Sequence, residues 1–343
     1  TLFKETDAEY EVPLLFFCGK RVAVDCGSML YPAWQIAVKE VCNNRNLKLI
    51  EEDPDEEEIR QSFISIVLKK LASLLYHGIH PICVFDGASL PDKFETHEDR
   101  AAKEKTRKQK YYELREEGQQ LPPLSDEKPT KEKEMLKYVS AAFPKSSTVD
   151  KWTMEQLSYL GFPVFQASYE ADSLCASLVL KGYAYTVLTS DTDITCYQVP
   201  TFIRDLINRY GKVQSSDGTS YNTKLCNFVD VNTILENSGM DFFMYRDFCI
   251  MLGCDYNQRI YRVGYKNSLK HIKNHGSIEN IPIRDKSPLR HERCRELFES
   301  VDLSSNIAED LGRKYQSSTP LVDDETFESD SENIQLRVDF NWS

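Results

Sequence analysis

Four short apolar runs of β-forming residues each end in a carboxylate or lead into one, and helical patterns separate them. They are RVAVD ending at Asp25, PICVFD ending at Asp86, FPVFQASYEAD leading to Glu170 and Asp172, and YTVLTSDTD carrying Asp191 and Asp193. Residues 59–76 place Phe63, Val67, Leu71 and Leu75 at four-residue steps, with Ile66 and Leu74 beside them. Residues 170–181 place Ala171, Leu174, Cys175, Leu178 and Val179 on one stripe, and Gly182 supplies a helix stop. Strands alternating with helices predict an α/β fold with a mainly parallel central sheet flanked by helices. Ligands bind at the carboxyl ends of the strands in such sheets, so acids far apart in the chain are expected to share one cleft.

At 343 residues the chain can bury a full core, and one large domain over residues 1–285 accounts for the pattern. Residues 93–150 break the alternation: they are rich in Lys, Arg, Glu and Gln, and read as helical pieces around a flexible connection, hanging over the acidic cleft. Beyond residue 285, SPLRHERCRELFES reads as a helical extension and the rest of 286–343 as a polar tail. No run of about twenty apolar residues spans a bilayer, and the first twenty residues lack the order of a signal peptide. Ten scattered cysteines without a C-x-x-C pair read as reduced core thiols of an intracellular protein.

The net charge of −12 argues against a polyanionic partner, but its distribution argues the other way. Acid is concentrated in EEDPDEEE (51–58) and DDETFESDSE (323–332), both expected to be solvated and flexible. RAAKEKTRKQK (100–110) carries six Lys or Arg against one Glu, and residues 256–278 carry five with no acid. A segregated basic surface therefore survives the acidic total.

Asp191 and Asp193, if extended, project to the same side of the chain, and Glu170 and Asp172 sit where the chain enters a helix. Each acid alone reads equally as a helix cap or a polar turn. Together they match what two hard cations about 4 Å apart require to clamp the attacking and leaving oxygens of a phosphodiester. On these residues alone a phosphatase-like or other phosphoryl-transfer enzyme stays open, and the absence of G-x-x-x-x-G-K-[ST] disfavours a P-loop hydrolase.

VFDGASLPDK, YEADSLCASL, LTSDTDI and LGCDYNQRIYRVGYKNSLKHIKNHGSIENI together resemble, over about residues 15–285 and in order, the flap endonuclease and XPG family of structure-specific 5′ nucleases. The last two segments are most similar to the flap endonuclease branch, the first two to the mismatch-repair 5′ exonuclease branch. The resemblance implies a PIN-like nuclease core, with a helical arch insertion at about 93–150 and a helix-two-turn-helix at about 250–280. It implies a two-metal site of Asp25, Asp86, Glu170, Asp172, Asp191, Asp193 and Asp255. Asp86, Glu170 and Asp172 would lie near one ion and Asp191 and Asp193 near the other, with Asp25 and Asp255 acting through water. The ions implied are Mg2+, with Mn2+ as a substitute, and K+ at the helix-two-turn-helix. Lys93 and Arg100 match the cationic pair at the foot of the arch, seven residues apart on one face if helical. Lys103, Lys105, Arg107, Lys108 and Lys110 form either a funnel for a single-stranded 5′ end or a solvated helix face. Tyr31 matches an aromatic that stacks on a base, against the alternative of a core tyrosine. Arg262, Gly264, Lys266 and Lys270 match the grip on duplex phosphates.

The sequence departs from the family at RVGYK, where Arg262 replaces a first glycine; if that position needs positive φ, Arg262 strains the turn. The family opens with Met-Gly-[IV]-x-x-Leu, a segment that this sequence, starting at Thr1, does not contain. There is no Q-x-x-[ILM]-x-x-[FY]-[FY] sliding-clamp box. The expectation is thus a monomeric, magnesium-dependent flap endonuclease or 5′-3′ exonuclease acting on branched or 5′-ended DNA in replication, repair or recombination, in the nucleus or at a viral replication site. The alternatives are an RNA-cleaving viral host-shutoff nuclease on the same fold and a non-catalytic nucleic-acid-binding regulator.

Overall fold

The computed structural model describes residues 2–45, 47–214 and 220–300. In chain order the helices are Leu2–Glu5 (α1), Cys26–Asn44 (α2), Glu56–Tyr76 (α3), Phe94–Gln119 (α4), Lys128–Met135 (α5), Val139–Ala142 (α6), Ser147–Tyr159 (α7), Ala171–Leu180 (α8), Val231–Ser238 (α9), Phe242–Leu252 (α10), Tyr265–His275 (α11) and His291–Glu299 (α12). The strands are Glu9–Pro13 (β1), Arg21–Asp25 (β2), His80–Phe85 (β3), Val164–Gln166 (β4), Thr186–Leu188 (β5), Thr201–Gln214 (β6) and Ser220–Asp230 (β7). They form one mixed sheet in the order β1-β7-β6-β5-β2-β3-β4. From β6 to β4 every pairing is parallel, while β7 runs antiparallel to both β6 and β1.

The central strands read as unbroken apolar runs because both faces are covered: Val22, Ala23 and Val24 of β2 are fully buried. On one face α2, α3 and the inner parts of the insertion pack around Phe63, Val67, Trp34 and Tyr111. On the other, α8, α10, α11 and α12 pack around Leu178, Phe248, Ile272 and Phe298. Helix α8 stops where expected: Gly182 adopts φ +77°, and its amide and that of Tyr183 bond back to Val179 and Leu178. The four-residue stripe on α3 is corrected by the structure, since Leu74 is fully buried and Leu75 is 48% exposed. Steps of four overshoot the 3.6-residue turn by about 40° each, so a stripe begun at Phe63 has rotated out of the core by Leu75.

Two further expectations are corrected. The insertion does not simply hang over a cleft, because Tyr111, Leu114, Met135 and Val139 are buried in the core and the Trp34 indole donates to the Phe143 carbonyl at 2.9 Å. The acidic run 51–58 is largely exposed to solvent, as expected, but it is not a free segment. Asp55 caps α3, Glu56–Glu58 occupy its first turn, and Asp53 accepts a 2.5 Å hydrogen bond from Arg115 of α4. The acids serve a helix N-terminus and dock the insertion. The run 323–332 lies outside the described residues. Strands β1, β6 and β7 carry no clean apolar alternation in the sequence; beyond Asp205, β6 and β7 form a two-stranded ribbon with a shifted register and mostly exposed side chains. No helix among the described residues is long and apolar enough to cross a membrane.

The helix phase is directly testable. Leu74→Ala is expected to destabilise the protein by about 2–5 kcal/mol in urea unfolding, and Leu75→Ala by less than about 1 kcal/mol.

Candidate metal centre and nucleic-acid interface

Adjacent strands β5, β2, β3 and β4 bring Asp191, Asp25, Asp86 and Glu170 in that order to one edge of the sheet. They line a polar cleft of about 450 Å³ together with Asp172, Asp255, Lys93, Arg100, Tyr31, Ser28 and Ser190. A groove of about 410 Å³ on the outer face of α3, lined by Ile64, Ser65, Leu68, Lys69 and Ala72, has no comparable chemistry.

Backbone amides partly offset the gathered negative charge. Asp25 caps α2, accepting from the Ser28 amide at 3.2 Å, and takes a 2.7 Å hydrogen bond from the buried Thr189 hydroxyl. Asp86 accepts from the Ala171 amide at 2.9 Å and so caps α8 from a different strand. Glu170, the formal N-cap of α8, makes no capping bond and instead receives the Lys93 ammonium at 2.6 Å. Asp191 accepts from the Asp193 amide at 2.9 Å as N-cap of the 3₁₀ turn Thr192–Tyr197. The expected extended Asp191-x-Asp193 pair is therefore a capped turn: Asp191 faces the cleft, while Asp193 turns inward and takes a backbone hydrogen bond from Asp255. Helix N-termini carry partial positive charge, so the cap and the acid cluster are one arrangement.

What the caps leave uncompensated appears as proton affinity. Burial first, with the neighbouring Asp86 and Asp191 charges adding to it, pushes Asp25 up to about 6. Burial, then Asp191 and Asp255, pushes Asp193 up to about 7. Asp172 is raised well above the ordinary range by burial and by Asp25 and Asp191, and its Oδ1 is buried without a hydrogen-bond partner. Repulsion among oxygen donors of this kind is relieved by a hard divalent cation, so the donor set fits magnesium or manganese. With Glu170 and Asp255 turned to Lys93 and Arg100, no three acidic, cysteine or histidine side chains among the described residues converge on one point at ligating distance.

The cationic pair meets at the cleft, but not from one helix face, because Lys93 precedes α4 and only Arg100 lies on it. Lys93 ends the 3₁₀ turn Pro91–Lys93, its Nζ 2.6 Å from Glu170 and 3.1 Å from Asp255, and Arg100 on α4 reaches Asp255 at 2.8 Å. Burial opposes the Lys93 charge, but Tyr256, Glu170 and Asp255 outweigh it and hold its pKa above that of a free lysine. Tyr31 is 52% exposed and lines the cleft, which rules out the core reading. On α4, Lys103, Lys105, Arg107 and Lys108 are exposed but do not share one face. Helical spacing puts Lys103 and Arg107 in line with Arg100, and Lys105 and Lys108 on other sides. Lys110 pairs with Glu113.

Arg262, Gly264, Lys266 and Lys270 gather around the start of α11, none of them lining the acidic cleft. Arg262 adopts φ +63°, the left-handed backbone that a glycine would take without strain, and its guanidinium stacks over Tyr261. Gly264 is extended, and an added Cβ would meet nothing within 4 Å. Asn257 closes the preceding turn, donating to Ile250 and Leu289 carbonyls and accepting from the Cys254 amide.

Sequence reasoning missed several supporting residues. A Cβ at Gly27 would stand 2.7 Å from an Asp86 carboxylate oxygen, and one at Gly87 would stand 2.0 Å from the Ala167 carbonyl. Both glycines permit close approach rather than unusual φ, which no local motif announces. Thr189 and Tyr256 flank recognised acids, LTSD and CDY, and adjacency was the one available signal.

Two predictions follow from these energetics. In EDTA, Asp193→Asn is expected to melt higher than the parent at about pH 8. With its pKa raised from 3.8 unfolded to about 7 folded, the stability that the protonated carboxyl contributes is full below 3.8 and is lost as pH rises to 7, so the gain should shrink on acidification across that window. Arg262→Gly is expected to stabilise the fold by about 1 kcal/mol in urea unfolding by releasing the left-handed strain.

Comparison with known proteins identifies the family and the fold. The XPG N-terminal domain model matches residues 2–107 and the XPG I-region model residues 161–255. Flap endonuclease 1 of Cryptosporidium muris is 30% identical over 287 residues, covering 82% of this chain and 56% of that protein. Its counterpart in Trypanosoma brucei gambiense is 29% identical over 270 residues, covering 78% and 62%. The chain thus spans little more than half the length of these relatives. Among solved structures, the catalytic core of Rad2 in complex with DNA substrate superposes with a TM-score of 0.55 at 20% identity, covering 94% of this chain and 80% of that one. Flap endonuclease-1 from Methanococcus jannaschii gives 0.54 at 19% identity, covering 87% and 84%. At those identities the structures establish the fold, and with both XPG models matched in order along more than half of its residues, the chain belongs to the flap endonuclease and XPG family.

Proposed function

We propose that this protein is a magnesium-dependent, structure-specific 5′ nuclease that hydrolyses phosphodiesters of 5′-flapped or 5′-ended DNA. The observation that carries the reading is that six carboxylates, Asp25, Asp86, Glu170, Asp172, Asp191 and Asp255, line one cleft with Lys93 and Arg100 at the base of α4, with Asp193 buried beside Asp191 and Asp255. Asp86, Glu170 and Asp172 are the residues to hold one ion and Asp191 and Asp193 the other, with Asp25 and Asp255 acting through water. Bound there, hard divalent cations supply charge for the phosphate oxygens and acidify water at neutral pH.

The chain's own groups do the rest. Lys93 and Arg100 share Asp255 in the free protein, and an incoming phosphate can replace it as their anionic acceptor once bound cations take up the carboxylates. Both then hold the scissile group by charge rather than by base identity. The exposed Tyr31 ring supplies a stacking surface beside it, which favours an unpaired nucleotide. Arg100, Lys103 and Arg107 extend a positive stripe up α4 for a single strand. Gly264, Lys266 and Lys270, with the free amides at the start of α11, form a sequence-independent phosphate grip for the duplex, and a K+ ion would add to it. The Rad2 core that this fold matches was solved with DNA, which supports DNA over RNA as substrate. A monomer acting in an intracellular DNA compartment is part of the same reading.

Labelled 5′-flap, 5′-recessed, blunt duplex and single-stranded RNA substrates, each with Mg2+ or EDTA, test it. Mg2+-dependent cutting near the junction or from the 5′ end is expected, with Lys93→Ala lowering the rate about 100-fold or more and Asp193→Asn abolishing it. RNA-only cleavage would transfer the site to the shutoff-type reading, and tight binding without cleavage would make the protein a regulator.

A further inference from the structure

Lys93 is held from two sides by groups outside the acid cluster. Its neighbour Asp92, 11% exposed at the side chain, accepts from Arg290 Nη2 at 2.6 Å and from Arg293 through Nε at 3.3 Å and Nη2 at 3.0 Å. Arg293 addresses both carboxylate oxygens, the paired geometry that fixes orientation as well as charge. Arg290 also donates from Nη1 to the Tyr256 carbonyl at 3.3 Å. The Tyr256 ring lies 5.4 Å from Lys93 Nζ and packs edge-on against Phe298 of α12, 5.6 Å between centroids, while its hydroxyl meets that of Tyr197 at 3.4 Å. Asp255, which receives both Lys93 and Arg100, directly precedes Tyr256.

One short helix at the end of the described chain thus touches the 3₁₀ turn that carries Lys93, the ring beside its ammonium and the turn that carries Asp255. Arg290 does so from a strained backbone, φ +43° in a non-glycine residue. Such conformations persist where surrounding contacts fix them. Surface ion pairs usually contribute little, but Asp92 is half-buried and takes three hydrogen bonds from two guanidinium groups, a geometry more restrictive than a single exposed pair. A lysine stem is long and flexible, and without an anchored base its ammonium would sample the whole acid cluster. Both arginines lie beyond the residues that the two family models match.

We propose that Arg290 and Arg293 are positioning residues for Lys93, acting through Asp92 and Tyr256, so that α12 sets where the cation at the base of α4 stands. The catalytic consequence rests on the nuclease reading; the structural one does not.

Two measurements test it. In metal-free protein, reductive methylation by formaldehyde and cyanoborohydride, read at Lys93 by peptide mass spectrometry and normalised to exposed Lys103, should speed up about fivefold or more in Asp92→Ala and Arg293→Gln. An unchanged rate in variants with an unchanged melting temperature would overturn the clamp. In single-turnover flap cleavage, Asp92→Ala should lower the rate about tenfold or more with DNA Kd within about twofold, and should cost nothing further in a Lys93→Ala background. Equal losses in both backgrounds would mean a role independent of Lys93. If the parent cuts no substrate, the nuclease reading fails while the labelling result still decides the clamp. Should Asp92→Ala unfold the protein, Asp92→Asn, which keeps the shape and removes the charge, carries the same comparison.

Discussion

Carboxylates gathered at the ends of β2, β3 and β5 cannot all keep their charge in a partly dry cleft without a compensating cation, and most of the surrounding structure answers that constraint. The N-termini of α2 and α8 point at Asp25 and Asp86, Thr189 donates to Asp25, and Lys93 lies between Glu170 and Asp255. These contacts lower the cost but do not remove it, since Asp25, Asp172 and Asp193 all remain harder to ionise than free carboxyls. A fold optimised for stability alone would not keep them. The unresolved charge is the physical argument that the cleft is built for metal and phosphate.

The acid set was legible in the sequence because topology does the gathering. In a parallel sheet every strand ends on the same edge, so a carboxylate at the end of each apolar run reaches the same place however many residues intervene. The basic pair was legible only through the family resemblance, since Lys93 and Arg100 taken alone are two cations in a polar insertion. What could not be read follows from contacts without local pattern. The β6–β7 ribbon buries little on either face and so shows no alternation, and the docking of the acidic run 51–58 onto α4 depends on Arg115, distant in sequence. The phase of α3 was lost for a geometric reason, the drift between a four-residue step and the helical turn.

Arg262 is the instructive case between the two. The departure from the family's glycine was visible in RVGYK, its backbone consequence was expected, and φ +63° is what the structure has. The turn is therefore kept with a residue that strains it, stacked on Tyr261 and presenting a cation next to Gly264 and Lys266. Arg290, just before α12, repeats the pattern, again an arginine with positive φ whose guanidinium makes fixed contacts, here to Asp92 and the Tyr256 carbonyl. Both positions trade backbone comfort for the placement of charge.

The central claim is that the seven acids form a two-ion site. Diffraction from crystals grown with Mn2+ and measured for anomalous scattering tests it most directly. The account predicts two peaks about 4 Å apart in the cleft, one against Asp86, Glu170 and Asp172 and one against Asp191 and Asp193, with Lys93 released from Glu170. Crystals with no peak in the cleft, and Lys93 still bound to Glu170 and Asp255, would contradict it.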